Sequence, residues 1–179
     1  MKVNATSLAG VQLLENFVSQ DKRGTFVKTF HLGAFQEHGL AVDFRESYYS
    51  ISHKNVIRGM HFQLPPHEHD KLVYVTQGAI LDVVVDLRSG SPTYLQHLAV
   101  SLDEHNQAIY IPRGCAHGFL ALSNTATVVY NVTSVYEPKA DAGVRWDSIG
   151  FKWPVQNPIV SDRDATFKSL NDFHLTSCL

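Results

Sequence analysis

The sequence predicts an all-β chain whose strands form a closed or double-sheet structure, with short helices at the periphery. Short β-type runs dominate its 179 residues, broken by Gly, Pro, Asn and Asp. Those runs recur at roughly the 8–12-residue spacing of sandwiches and barrels. A closed or double-sheet form also copes best with the edges that so many strands would leave.

Taken in order, "GVQLLE" and "GTFVKTF" read as an opening hairpin around "SQDKRG". "LGAFQEHG" (32–39) is briefly helical, with Gly39 placed to close it. "KLVYVTQG" ends at Gly78 and runs straight into "AILDVVVDL" (79–87), so the two are expected to pair as neighbours. In the second run Leu81, Val83, Val85 and Leu87 share one face, and Asp82 and Asp86 lie on the other. "QHLAVSL", "QAIYIP" and "ATVVYNVTSVY" continue the strands, and the tail around "DATFKSLNDF" turns helical again. No low-complexity tract, charge block or linker interrupts the series, so residues 1–179 are expected to form one domain.

Composition narrows the function classes. At 44% hydrophobic and 18% charged, the chain has the balance of a folded globular protein. Fifteen Lys and Arg against seventeen Asp and Glu give a net charge of −2. No global field therefore recruits nucleic acid or an anionic membrane, although a local cluster can still hold one phosphorylated small molecule. Cys115 and Cys178 make no disulfide framework and are expected to be free thiols in a reducing compartment. No run suits a signal peptide or the roughly 18 apolar residues of a membrane span, and the chain reads as cytoplasmic.

A barrel of this size can hold a small ligand in its mouth. The polar candidates for its inner surface are Tyr48, Tyr49, His61, Lys71, Asp82, His117, Tyr130 and Tyr136. Several fall in or near "RGMHFQLPPHEHDK" (58–71). His67 and His69, two apart, suggest chelation, with His117 of "PRGCAHG" as a third ligand. This pattern resembles the metal-binding cupins, whose H-x-H is followed by Glu and Gly, and whose P-x-G-x-x-H is followed by Asn. Gly78, Pro112, Gly114 and His117 fit that frame. Lys71, however, stands in the glutamate slot and Ala121 in the asparagine slot, and an ammonium repels a cation. The cupin frame stands without its metal, and no metal is expected. His67 and His69 then become bystanders in a solvated loop.

Without a metal, the residues suit proton abstraction beside a carbonyl. Histidine, with an ordinary pKa of ~6.5, is the natural base near neutrality. A lysine at the carbonyl oxygen stabilises an enolate, and a tyrosine can return a proton. "RGMHFQLPP…KLVYVTQGAILDVVVDLRSGSPTY", "YIPRGCAHGF", "VVYNVTSVYEP", "GVRWD" and "WPVQNPIVSDRD" together resemble the dTDP-4-dehydrorhamnose 3,5-epimerase family, in order, from about Asp21 to Asp164. The resemblance implies a cupin-type double-stranded β-helix that needs no cofactor and forms a homodimer through an N-terminal strand that crosses to the partner. It implies a substrate of nucleotide-diphospho-4-keto-6-deoxyhexose type, epimerised at C3, C5 or both, for deoxysugar or O-antigen-type polysaccharide synthesis. By similarity His61 is the base, Asp164 its carboxylate partner, Lys71 the lysine near O4 and Tyr130 the acid. Arg23, Phe26 and Arg58 match substrate-holding positions, and His117 and Tyr136 match further pocket positions.

Four residues depart from the family pattern. Lys28 stands where a glutamate is usual, Glu46 where a glutamine, Tyr48 where an asparagine, and Asn131 where a lysine. Lys28, Glu46 and Tyr48 fall in segments that line the nucleotide side in that family. A glutamate there accepts a hydrogen bond from the amino group of cytosine, which thymine lacks. Both dTDP and CDP carriers are therefore open from the sequence. Two other functions stand beside the epimerase: a metal-dependent cupin using His67, His69 and His117, and a barrel that binds nucleotide sugar without turning it over.

Overall fold

The computed structural model describes residues 1–104 and 107–176. Two antiparallel sheets face each other. One has the order β1 (Lys2–Ala5), β2 (Gln12–Glu15), β10 (Gln107–Ile111), β7 (Lys71–Gln77), β12 (Thr125–Val132), β5 (Glu46–His53). The other runs β13 (Asp141–Gly143), β6 (Ile57–Gln63), β11 (Cys115–Ala121), β8 (Ala79–Asp86), β9 (His97–Asp103). A hairpin of β3 (Phe17–Asp21) and β4 (Gly24–Lys28) forms a sheet of its own. The short helices are α1 (Leu32–Glu37), α2 (Asp162–Ala165) and α3 (Leu170–Thr176). This is the expected cupin-type jelly roll.

Three apolar clusters hold the layers. Between the sheets lie Val73, Val75, Ile80, Val84, Ile109, Phe119 and Val128, drawn from both. Outside the five-stranded sheet, Ile57, Met60, Val83, Val85 and Leu87 pack under Ile149, Trp153 and Leu170 from the C-terminal segment. Outside the six-stranded sheet, Phe35 of α1 covers Leu14, Leu72 and Tyr110. Strand β8 is thus buried on both faces, as expected of a strand sandwiched between layers. Helix α1 ends with Gly39 at φ 66°, its N–H reaching the Gln36 carbonyl at 3.1 Å, as the sequence predicts.

Two expected pairings are different in the structure. β7 bonds to β10 and β12, whereas β8 bonds to β11 and β9, so consecutive strands lie in opposite sheets. Gly78, at φ 78°, turns the corner, and a side chain there would collide with Ser123 and the Thr125 carbonyl. The opening hairpin is built from "FVSQD" and "GTFVK", while the "QLLE" strand, β2, is inserted between β1 and β10. Alternation alone does not tell which of two adjacent apolar runs pairs with a third.

One irregularity positions the site. Opposite β11, the register of β6 slips between His117 and Phe119, leaving Gly59 and Met60 against Gly118. Ile57, Met60 and Phe62 face the outer cluster. This bulge places Arg58 and His61, three apart, on the other side together. Gly59 has φ 133°, and a Cβ there would lie 2.5 Å from the Gly118 Cα. Gly59→Ala is expected to destabilise the protein by about 2–4 kcal/mol, from strain plus overpacking. A urea midpoint equal to that of the parent would contradict this account of the bulge.

Candidate active site

His61 projects from β6 into a cavity of about 380 Å³. Its Nε2 lies 2.8 Å from Oδ1 of Asp164, and the other oxygen, Oδ2, accepts the Gly59 N–H at 3.0 Å. A carboxylate only accepts, so Nε2 carries the proton and Nδ1 is left as the basic nitrogen. Asp164 is buried in α2, yet it does not cap the helix. Ser161 does that, accepting the Asp164 N–H at 3.1 Å, which frees the carboxylate to turn inward. Burial works against the Asp164 charge, but His61, Gly59 and Arg163 outweigh it and hold the carboxyl below its ordinary pKa. Burial pulls the His61 pKa below its usual value, against the upward pull of Asp164. The imidazole is therefore neutral near pH 7.

Lys71 opens β7 and is 5% exposed. Its Nζ donates to the His61 carbonyl at 3.1 Å, and both residues line one cavity. Burial lowers its pKa to about 8, and the attraction of Asp82 is the largest force opposing that shift. Asp82 is itself buried, with Oδ2 bonded to Nε2 of His117 at 2.7 Å. Its Oδ1 has no hydrogen-bond partner. His117 is 3% exposed and does not line the cavity; its ring lies 6.1 Å from that of Tyr130. Tyr130 comes from β12 and is buried, which pushes its hydroxyl pKa up strongly. Its ring stacks on Tyr48 of β5 at 4.9 Å.

The remaining wall is polar. Glu46 accepts the Tyr136 N–H at 2.9 Å, and the Tyr136 hydroxyl donates to Asp141 at 3.2 Å. Asp141 also accepts from Arg163 at 2.5 Å, and all four residues line the cavity. Glu46, Tyr48, His61, Lys71 and Tyr136 thus line one cavity, with Asp164 directly behind His61.

Residues 5–172 match the family model of dTDP-4-dehydrorhamnose 3,5-epimerase. The dTDP-4-dehydrorhamnose 3,5-epimerase of Methanothermobacter thermautotrophicus is 44% identical over 173 residues, 93% of each chain. The chain belongs to this family. Among solved structures, NovW superposes with a TM-score of 0.95 at 33% identity, covering 98% of this chain and 90% of the other. NovW is a 4-keto-6-deoxy sugar epimerase from the novobiocin gene cluster of Streptomyces spheroides. ChmJ, a 3'-monoepimerase from Streptomyces bikiniensis solved with dTDP-quinovose, gives 0.90 at 31% identity, over 97% and 90% of the two chains.

In this epimerase the described residues do not bring His67, His69 and His117 together as the metal-dependent alternative requires. His117 is committed to Asp82, and His69 sits near Ser134 Oγ at 3.1 Å. Among the described residues no cluster of three His, Cys, Asp or Glu is placed to hold a metal ion. His69 is nevertheless no solvated bystander. It lines the cavity, and burial lowers its pKa to about 3. The loop from 64 to 70 folds back because Gln63 and Ser134 both donate to the His67 carbonyl, at 2.7 and 2.8 Å, which turns His69 inward.

Other expectations also shift. Tyr49 points away from the barrel and is 66% exposed. Arg58 lies outside the cavity lining, its Nε donating to Ser52 Oγ at 2.9 Å. Arg23, Phe26 and Lys28 sit on the β3–β4 hairpin, where Arg23 pairs with Asp21 and Lys28 lies over Phe17, and none reaches the cavity of its own chain. Gln63, Asp141 and Arg163 line the epimerase cavity without having been singled out from the sequence. Arg163 lies inside "SDRD" and Asp141 just before "GVRWD", so adjacency to those motifs was the available signal. Cys115 is a buried free thiol with its pKa raised to about 12 by burial, and Cys178 lies outside the described residues.

The geometry sets a sign for His61. Its imidazole is expected to titrate below ~6.5 by NMR. Asp164→Asn is expected to lower that pKa further, because the carboxylate supplies the upward pull. A pKa that rises in the variant would contradict the dyad.

Proposed function

We propose that the chain epimerises dTDP-4-keto-6-deoxyhexose at both C3 and C5, working as one domain over residues 1–179. The single observation that supports this reading most is the His61–Asp164 pair at 2.8 Å beside buried Lys71 in one cavity. His61 Nδ1 removes the proton α to the C4 ketone, and the electron pair moves to O4 as an enolate. Lys71, still protonated near pH 7, stabilises that oxygen in a site with little water to screen it. Tyr130 then gives its proton to the opposite face of the same carbon, and the imidazolium and phenolate return to their starting states by exchange with solvent. Removing Asp164 costs less than removing His61, because its part is to orient and tune. Glu46 already spends one oxygen on the Tyr136 amide, and ChmJ was solved with a dTDP sugar, which together favour dTDP over CDP.

In D₂O, the expected result is deuterium at C3 and C5 of product formed from dTDP-4-keto-6-deoxyglucose, with the CDP-linked sugar slower. Under the same conditions His61→Asn is expected to lose at least ~10²–10⁴-fold in turnover while melting normally. Label at C3 alone makes the enzyme a 3-epimerase, and binding without label at either carbon makes it a non-catalytic barrel.

We further propose a cytoplasmic homodimer that supplies a deoxysugar for surface polysaccharide. The β3–β4 hairpin pairs with no other described strand and exposes Phe17 and Phe26, at 51% and 59%. A groove of about 690 Å³ between it and the six-stranded sheet is lined by Val18, Val27 and Tyr74. Crossing to a second copy would cover these groups and carry Arg23 and Phe26 to the partner's cavity. Among the described residues no helix is long and apolar enough to cross a membrane. Light scattering at micromolar concentration is expected to give twice the 20.0 kDa chain mass, and a monomer would refute the dimer.

A further inference from the structure

The inner face of β5 runs Glu46, Tyr48, Ser50, Ser52, and two of these touch Tyr130. Tyr48 is its direct cross-strand partner, with ring centroids 4.9 Å apart and planes inclined by 19°. Ser50 offers Oγ to the Tyr130 hydroxyl at 3.4 Å, a long contact for two hydroxyls. On another side stands His117, ring to ring at 6.1 Å and 66°, itself fixed by Asp82. Tyr130 is 8% exposed and Tyr48 45%, and the Tyr48 ring, which lines the cavity, packs on Tyr130 from that side.

We propose that Tyr48 is a positioning residue for proton return: its ring, not its hydroxyl, clamps Tyr130 at the angle from which the enolate is protonated. The proposal rests on the reading of Tyr130 as proton donor. The Tyr130 ring is packed in the core between the sheets and its hydroxyl contact to Ser50 is long, so the side facing Tyr48 is the direction in which it can pivot. A stacked ring removes that freedom, because a pivot would break face-to-face contact along the whole ring. Burial, with Glu46 and Asp141 adding to it, holds the Tyr48 pKa up at about 12, so both stacked rings are neutral phenols near pH 7. An asparagine in place of Tyr48 has no face to offer. Proton abstraction needs only His61, Asp164 and Lys71, which lie on β6, α2 and β7 and touch neither tyrosine in the hydrogen bonds above. Loss of the clamp therefore falls on the second half of the reaction alone.

The enolate has two fates in D₂O. His61 can return deuterium to the face it attacked, which labels recovered substrate, or Tyr130 can deliver it to the other face, which gives labelled, inverted product. The ratio of the two is a partition of one bound intermediate, so a weaker KM does not move it. Tyr48→Asn is expected to raise the ratio of labelled substrate to product by about tenfold or more, in line with the loss of an acid's contribution. Tyr48→Phe, which keeps the stack, is expected to restore the parental ratio. An unchanged ratio in Tyr48→Asn overturns the proposal, as does loss of all labelling in a variant that melts normally. A Phe variant shifted as far as the Asn variant assigns the effect to the hydroxyl and also overturns it. Tyr130→Phe run alongside separates the two readings: undiminished product from that variant sinks the proton-donor role itself, whatever Tyr48 does.

Discussion

The Asp164 carboxylate is the interaction on which the site depends. One oxygen meets the Gly59 N–H and the other meets His61 Nε2, so a single buried group secures both the bulge and the His61 ring. Its charge is affordable in the interior only because each oxygen is bonded and an arginine lies 3.9 Å away. The same bonds tie the C-terminal segment to β6 across more than half the chain. Local structure prepares the contact from both ends. Gly59 and Gly118 leave room for two backbones to close, and Ser161 relieves Asp164 of capping α2.

Around this contact the barrel concentrates ionisable groups that its length and strand number do not require. Lys71, Asp82, His117 and Asp164 are all buried, and each has a charged or hydrogen-bonding counterpart except Asp82 Oδ1. Such a cluster costs folding energy, since apolar residues of similar size fill a barrel more cheaply. Its return is electrostatic. A lysine whose pKa is brought to about 8 still carries its charge near neutrality, in a place where little water would screen it from the oxyanion of the proposed reaction. The apolar cluster between the sheets supplies that low-dielectric surrounding.

Much of this was legible in the sequence, and the failures share a cause. Strand positions, the Gly39 stop and the alternation of β8 follow from residue type and spacing. His61, Lys71, Tyr48 and Tyr136, all singled out from the sequence, line the cavity, with Asp164 behind the first. What failed was long-range geometry. β7 and β8 look like a hairpin because only one glycine separates them, but the corner at Gly78 depends on how closely Ser123 and Thr125 approach from another strand. The bulge at Gly59 and Met60 overturns simple parity, so alternation would have put Arg58 and His61 on opposite faces. His69 faces the cavity because a loop is folded by bonds to the backbone carbonyl of His67, to which no side chain in the sequence draws notice.

The departures from the family pattern gain physical meaning from β5. Glu46 and Tyr48 are two apart and so face the same way, one bonding to the backbone of Tyr136 and the other stacking on Tyr130. A strand at the sheet's edge is bound on one side only, through β12, and the register Glu46↔Val132 to His53↔Thr125 is unbroken along its length. That continuity makes β5 a straight rail: a change of side chain at one inward position alters what touches the tyrosine without disturbing the backbone. Lys28 lies on the hairpin, on no such rail, and its contact is the exposed ring of Phe17. Asn131 alternates with Tyr130 and Val132 on β12 and so faces away from the barrel, where nothing in the structure explains the change from lysine. The substitutions therefore divide by the direction in which a strand points them, and the two that point inward are the two that meet the site's tyrosines.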